Sequence, residues 1–135
     1  MIVDTSALLA FFDAGEPDHD AVTAAITDTS DPLVVSPYVV AELDYLVATR
    51  HGVQQELDVL AELSGGAWDL APFTADDLRR ARDLIERYAD QEIGVADVSI
   101  VVLAASHRTR TILTLDRRHF SVLRPLDGGR FRMVP

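Results

Sequence analysis

The chain contains no cysteine, no lysine and no asparagine, and it has no long apolar run. Without cysteine, neither a disulfide framework nor a thiolate metal site can form. The longest apolar run covers residues 100–105, far fewer than the roughly 20 residues that a membrane-spanning helix needs. Residues 1–12 also lack the basic start of a signal peptide. We therefore expect a cytoplasmic protein with no membrane segment.

The absence of lysine excludes two classes of phosphate-handling α/β protein. A P-loop nucleotide binder needs a glycine-rich loop that carries Lys, and a phosphoacceptor receiver domain needs a Lys near its phosphorylated Asp. A phosphatase of the haloacid-dehalogenase type would have a second Asp two residues after Asp4, where this chain has Ser6. Any phosphate chemistry here must therefore rely on carboxylates, hydroxyls and Arg.

The net charge of −10 is unevenly distributed along the chain. Residues 1–106 hold five Arg against twenty acidic residues, a balance of −15, whereas residues 107–135 hold seven Arg against two, a balance of +5. An acidic total argues against a nucleic-acid partner, but the basic C-terminal quarter would supply phosphate contacts. The exclusive use of Arg suits such contacts, but codon bias in a GC-rich genome also explains it, and the absence of Asn favours codon bias.

The length and the apolar pattern predict one α/β domain. At 135 residues, 48% of them hydrophobic, the chain can form one compact domain over residues 1–135 and is too short for two. Short apolar segments alternate with segments of helical periodicity, which favours parallel strand pairing. Strands are predicted at residues 2–3, 33–35, 68–70, 111–114 and 131–133.

Six helices are predicted from capping residues and apolar spacing: one that stops at Gly15, one opened by residues 17–20, and four over residues 37–49, 53–63, 74–88 and 95–107. The fourth is expected to bury Val53, Leu57, Leu60 and Leu63, and the fifth Leu78, Ala81, Ile85 and Tyr88. The last helix is nearly uncharged, so we expect it to be the most buried.

Four acidic residues occupy settings that favour chemistry. Asp4 follows the first strand, Glu42 lies in an otherwise apolar helix, Asp97 falls in the first turn of the most apolar helix, and Asp116 follows a short strand. Open α/β sheets bind ligands beyond the carboxyl ends of their strands. Clustered carboxylates repel one another unless a cation is present, and Mg²⁺ or Mn²⁺ prefers oxygen ligands. Metal-assisted phosphodiester hydrolysis is the reaction that such a cluster favours.

Each acid also has a purely structural interpretation. Asp4 can be a helix N-cap, Asp97 can complement a helix dipole, Glu42 can be a charge at the rim of the core, and Asp116 can form a turn. Asp90, just before the most apolar helix, can support the site or only its own loop. None of these acids is specific evidence by itself.

Taken together, the motifs resemble those of PIN-domain ribonucleases, and among these the VapC toxins of bacterial toxin–antitoxin pairs. They are Asp4-Thr-Ser-Ala-Leu, Ser36-Pro-Tyr-Val-Val-Ala-Glu42, Gly94-Val-Ala-Asp97-Val-Ser and Thr114-Leu-Asp116-Arg-Arg-His-Phe120. The resemblance implies a three-layer α/β/α sandwich with a central, mostly parallel sheet. It further implies RNA cleavage dependent on Mg²⁺ or Mn²⁺, with Asp4 and Asp97 as metal ligands and Glu42 and Asp116 completing the catalytic set. Hydrogen bonds from Thr5, Ser6 and Thr114 would orient these acids.

The resemblance also implies partners: an RNA substrate, a small VapB-like antitoxin laying an arginine-bearing peptide across the acidic cleft, and a second copy of the chain in a homodimer. The candidate RNA contacts are Arg108, Arg110, Arg117, Arg118 and His119. His119 can instead act in proton transfer or simply pack. Two other interpretations stay open, a non-catalytic partner-binding module and a PIN nuclease of RNA processing with no toxin role.

Overall fold

The computed structural model describes all 135 residues and contains five strands and seven helices. The strands are β1 (Ile2–Val3), β2 (Val34–Val35), β3 (Asp69–Leu70), β4 (Thr111–Leu113) and β5 (Arg132–Val134). The helices are α1 (Thr5–Phe12), α2 (His19–Thr27), α3 (Pro37–His51), α4 (Val53–Leu63), α5 (Ala75–Arg87), α6 (Val95–Ser106) and α7 (Arg117–Val122). All the predicted strands and helices are present, and α7 is an additional helix.

The five strands form one sheet in the order β3-β2-β1-β4-β5, and every neighbouring pair is parallel. Consecutive residues of a strand point to opposite faces of the sheet. Both residues of β1 and both of β2 are buried, as are Ile112 and Leu113 of β4, so helices cover the sheet on both faces. The predicted α/β/α sandwich is confirmed, with a sheet that is parallel throughout.

The strand order reverses direction between β1 and β4. From β1 the chain builds outward to β2 and β3, and it then returns to add β4 and β5 on the other side. Ligands bind at such a switch point, outside the carboxyl ends of the two central strands. Asp4 and Thr114 are the residues that leave these two ends, and the Asp4 amide donates to the Leu113 carbonyl at 3.0 Å.

Helix α6 is the most buried helix, as its composition predicts. Seven consecutive residues, Val98–Ala104, are buried, including the hydroxyl-bearing Ser99. A helix that is apolar all round lies inside a protein rather than on its surface. Its first turn, which carries the partly buried Asp97, directly precedes this buried segment. No helix of the chain combines the length and the apolar character required to cross a bilayer.

The predicted buried face of α4 is partly wrong, because of the four predicted residues only Leu63 is buried. Val59 and Leu63 are buried, whereas the predicted Val53 and Leu57 are 67% and 55% exposed and Leu60 lies at the surface. The side chains at positions 53, 57 and 60 also have helical spacing, so the helix has two apolar stripes and only one contacts the core. The exposed stripe Val53–Leu57–Leu60 is called the α4 seam below.

The predicted buried face of α5 is partly wrong. Ala81 is buried as expected, and Ile85 and Tyr88 are partly buried, but Leu84 is buried in place of Leu78, which is 46% exposed. The cap that starts the helix is confirmed, because the Thr74 hydroxyl accepts from the Asp77 amide and the Asp77 carboxylate accepts from the Thr74 amide.

Candidate active site

Side chains from four separate segments meet in one pocket at the carboxyl edge of the sheet. The pocket has a volume of about 390 Å³, and all four predicted acids line it: Asp4, Glu42, Asp97 and Asp116. Asp4 comes from the end of β1, Glu42 from α3, Asp97 from the first turn of α6 and Asp116 from the loop after β4. The four acids therefore converge in the structure, as predicted.

Asp4 is the most deeply placed acid of the pocket, with 6% of its surface exposed. Its Oδ2 accepts hydrogen bonds from the Ser6 hydroxyl at 2.6 Å and from the Thr114 hydroxyl at 2.8 Å. Burial raises the pKa of Asp4, the two hydroxyl donors oppose that rise, and the negative charge of Asp97 adds to it. A carboxylate in this setting gains strongly from a nearby cation.

The two hydroxyls that bond Asp4 also anchor the loop after β4. The Leu115 amide donates to the Ser6 hydroxyl oxygen, and the Asp116 amide donates to that of Thr114, both at 2.9 Å. Movement of this loop would therefore disturb the hydrogen bonds of Asp4. The orienting role that resemblance suggests for Ser6 and Thr114 has a matching geometry.

Glu42 is held at the mouth of the pocket by Thr5. The Thr5 hydroxyl donates to Glu42 Oε2 at 2.5 Å, and Thr5 itself is buried at the start of α1. Helix α3 begins at Ser36, whose side chain accepts from the Tyr38 amide. The buried Ser99 hydroxyl lies 2.6 Å from that of Ser36. This contact joins the helix of Glu42 to the helix of Asp97.

Asp97 and Asp116 each have one oxygen held by a backbone amide. Asp97 Oδ2 accepts from the Gly94 amide at 3.0 Å, and Asp116 Oδ1 accepts from the His119 amide at 3.0 Å and so caps α7. The remaining oxygen of each acid faces the same imidazole. His119 Nδ1 lies 3.4 Å from Asp97 Oδ1 and 3.1 Å from Asp116 Oδ2, in an alignment that makes no hydrogen bond.

The structural interpretations of these acids have different outcomes. Asp97 and Asp116 do cap helices, but each does so with one oxygen only. Asp4 stands at the N-cap position of α1 and makes no side-chain capping bond, so its burial is not explained by capping. Asp90 is exposed, bonds its neighbour Gln91 and does not line the pocket, which favours the loop interpretation for it.

The candidate RNA-contact residues fall into two groups. Arg117, Arg118 and His119 lie on α7 beside the pocket, and Arg118 reaches to 3.7 Å from Glu92 at its rim. Arg108 and Arg110 lie beyond the C-terminal end of α6. At 1.5 Å per helical residue, that end is about 14 Å from Asp97 in the first turn. Arg110 donates to Asp127 at 2.8 Å. Contact of Arg108 and Arg110 with RNA stays a prediction, and their placement puts such contacts away from the pocket.

Sequence reasoning missed two features of the pocket. Glu92 lines it from the turn before α6, with a positive φ of 55°, and a left-handed backbone at a non-glycine residue is not readable from composition. The Ser36–Ser99 contact was also missed. The only available signals for it were Ser36 at the N-cap of α3 and Ser99 within an otherwise apolar helix.

The donor set of the pocket fits a hard divalent cation. All four acids offer carboxylate oxygens, which Mg²⁺ and Mn²⁺ prefer, and no thiol or amide competes. No three acidic or imidazole side chains converge into a complete metal cage. Mg²⁺ needs no such cage, because it keeps several waters and uses one or two carboxylates together with substrate phosphates.

The sequence matches a known family and a known protein. The family model described as "PIN domain" matches residues 1–124. Ribonuclease VapC26 of Mycobacterium tuberculosis is 64% identical over 135 residues, which is the whole of both chains.

Two solved structures share the fold. The sarcin–ricin-loop-cleaving toxin VapC20 of M. tuberculosis superposes with a TM-score of 0.82 at 19% identity, covering 89% of this chain and 92% of its own. FitAcB from Neisseria gonorrhoeae superposes with a TM-score of 0.62 at 20% identity, covering 97% and 96%.

Proposed function

The chain belongs to the PIN-domain family, and from this premise we propose that its pocket is the catalytic centre of a VapC-type toxin. The protein is a ribonuclease, as its 64% identity to VapC26 over the full length of both chains indicates. It is the toxin component of a toxin–antitoxin pair. The observation that carries the proposal for the site is the meeting of four acids from four distant segments in one pocket. Residues 1–135 form one nuclease domain in this proposal.

Asp4 and Asp97 are the proposed metal ligands, and Mg²⁺ is the proposed metal, with Mn²⁺ able to replace it. A bound divalent cation lowers the pKa of water and neutralises charge on the phosphate. Support for Asp4 comes from its burial and its raised pKa. Support for Asp97 comes from its free oxygen, Oδ1, on the pocket side of the helix cap.

Glu42 and Asp116 are the proposed residues that hold the attacking water and accept its proton. Each has an oxygen that no backbone or hydroxyl donor occupies, since Thr5 bonds only Oε2 of Glu42 and the His119 amide bonds only Oδ1 of Asp116. A general base must lie within hydrogen-bonding reach of the proton that it accepts. The fixed oxygens orient the free ones.

RNA would approach the pocket along α7. Arg117 and Arg118 would contact phosphates, which position a strand without reading its sequence, and they would offset the repulsion of RNA by the acidic pocket. Arg117 also donates to the carbonyl of Pro135, so its side chain already lies against the C-terminus. An RNA substrate places the proposed activity in the cytoplasm.

The proposed antitoxin would lie in a groove that leaves the acidic pocket. Leu9 lines the acidic pocket and also a second pocket, of about 100 Å³, whose wall includes Phe12 and Val47. An arginine side chain placed among the acids and apolar side chains placed beside Leu9 would match both chemistries. This arrangement explains how one bound peptide would block the catalytic centre.

The α4 seam is the proposed surface for self-association. Val53, Leu57 and Leu60 follow i, i+4, i+7 spacing and are exposed, and Tyr45 on the neighbouring α3 is 69% exposed. Apolar residues with this spacing form one continuous stripe on a helix. A second copy of the chain would bury that stripe.

Cleavage of RNA by the purified protein tests the catalytic proposal. We expect wild-type protein to cut RNA with Mg²⁺ and to lose this activity in EDTA, and we expect Asp4→Asn and Asp97→Asn to be inactive. Asp44→Asn is the matched control, because Asp44 lies on α3 outside the pocket. Equal cleavage by wild type and by both pocket variants would contradict the proposal and favour a non-catalytic module.

Growth of a bacterial host separates a toxin from an RNA-processing nuclease. Expression of the wild-type chain alone should arrest growth, and co-expression of its antitoxin should restore it. Normal growth with protein that cuts RNA in vitro would contradict the toxin role while leaving the nuclease in place.

A further inference from the structure

We infer that His119 is a positioning residue whose Nδ1–H is shared between Asp97 and Asp116 and aims their free oxygens into the pocket. The inference rests on the proposed nuclease function, which it extends to a residue outside the four acids. It differs from the prediction that His119 contacts RNA, because it assigns the imidazole to the carboxylates.

The first argument is the surroundings of the nitrogen. Nδ1 is shielded from solvent and has no hydrogen-bond partner, and its neighbouring polar atoms are Asp116 Oδ2 at 3.1 Å and Asp97 Oδ1 at 3.4 Å. A buried donor or acceptor without a hydrogen-bond partner carries a free-energy cost. A small rotation of either carboxylate removes that cost, so the geometry favours a hydrogen bond in the working site.

The second argument is the tautomer. Two carboxylate oxygens face Nδ1, and a lone pair on that nitrogen would point at two acceptors. A proton on Nδ1 turns both contacts into donor–acceptor contacts. This environment therefore selects a proton on Nδ1 over the tautomer that carries its proton on Nε2 alone.

The third argument is that each of the two acids has one oxygen left to bind a cation or a water. Backbone amides already hold Asp97 Oδ2 and Asp116 Oδ1, so the oxygens that face His119 are also the ones left for a cation or a water. A donor placed between them keeps two negative groups from rotating apart. Removal of a group that hydrogen-bonds a metal-ligating side chain typically changes metal affinity or activity by about 10–100-fold.

Variants at position 119 test the inference, since each keeps the backbone amide that donates to the capping carboxylate of Asp116. His119→Ala removes the donor. His119→Asn places an amide N–H near the position of Nδ1, and His119→Gln places one farther out, near that of Nε2. Thermal unfolding identifies any variant that does not fold, and Asn and Gln keep the test available if Ala does not.

Two measurements follow: the affinity for Mn²⁺ without RNA, by calorimetry, and the kinetics of RNA cleavage. We expect His119→Ala to weaken Mn²⁺ binding about tenfold and to lower kcat about 10–100-fold with KM unchanged. We expect His119→Asn to restore both values to within about threefold of wild type, and His119→Gln to restore them less.

Three outcomes would overturn the inference. Wild-type Mn²⁺ affinity in His119→Ala would show that the imidazole does not position the acids. A rise in KM with kcat unchanged would make His119 an RNA contact. Equal losses in Asn and Ala would make it a packing residue. An inactive wild-type protein would contradict the nuclease function instead, and the Mn²⁺ measurements would still decide the role of His119.

Discussion

Replacing Asp4 by Asn should stabilise the metal-free protein at neutral pH while removing its activity. Burial raises the pKa of Asp4, and the nearby negative charge of Asp97 raises it further. The folded state therefore binds this proton more tightly than the unfolded state does. The stability that Asp4 contributes is fully present below its ordinary pKa and is lost as the pH rises through the raised pKa.

The expected change in the free energy of unfolding follows from two opposing contributions. Removing an ionised carboxylate from water costs several kcal/mol, and each hydroxyl that donates to the charged group returns about 1.5–3 kcal/mol. Ser6 and Thr114 supply two such bonds, but the raised pKa shows that they do not compensate fully. We expect Asp4→Asn to raise the free energy of unfolding at neutral pH by about 1 kcal/mol, or about 4 °C in Tm for a chain of this size.

The decisive measurement is the pH dependence of the difference between variant and wild type. Unfolding is followed by urea and by heat, in EDTA, at pH values from about 4 to about 7. The advantage of Asp4→Asn should grow with pH, because only the wild type has a buried carboxyl to ionise. Asp90→Asn, at an exposed position, is the control and should show no such trend. A difference that is constant across this range would refute the reasoning.

Four further predictions concern the metal, the base, the surface and the core. Mn²⁺ at 100 times its dissociation constant should stabilise the wild type by about 2.7 kcal/mol in thermal unfolding, and Asp97→Asn much less, because it lacks a proposed ligand. Glu42→Gln should slow single-turnover RNA cleavage by at least about 100-fold, whereas Asp44→Asn on the same helix should match the wild type. Leu57→Glu should reduce the mass measured by light scattering from dimer to monomer, since Leu57 is exposed on the α4 seam. Ile112→Ala should lower the free energy of unfolding in urea by about 2–5 kcal/mol, because Ile112 is fully buried in β4.

The sequence was sufficient to predict the sheet and the convergence of the acids. Parallel strands place all their carboxyl ends at one edge, so residues that follow different strands, such as Asp4 and Asp116, must approach one another. Ser36 and Pro37 likewise determine the start of α3, which sets the position of Glu42 one and a half turns later. These predictions succeeded because local signals and topology lead to the same arrangement.

The predictions that failed depended on orientation, which periodicity alone does not determine. In α4 the spacing of Val53, Leu57 and Leu60 fits a buried face. The core nevertheless includes only Leu63 of the predicted residues, together with Val59. The distance of Arg110 from the pocket depends on packing in the same way, because α6 carries the chain to the opposite edge of the sheet before β4 begins; its contact with RNA stays a prediction. Such positions become known only when the elements have packed.

The hydrogen bonds of the pocket orient its acids without neutralising them. Each of the four acids accepts from a neutral donor, a hydroxyl or a backbone amide, and no arginine lines the pocket. The ion pairs of arginine lie with other acids, such as Asp76 and Asp127. An internal arginine would have supplied the same hydrogen bonds and occupied the place of a cation. Neutral donors leave the negative charge of the pocket available to a metal, and they leave it equally open to an arginine brought by a partner.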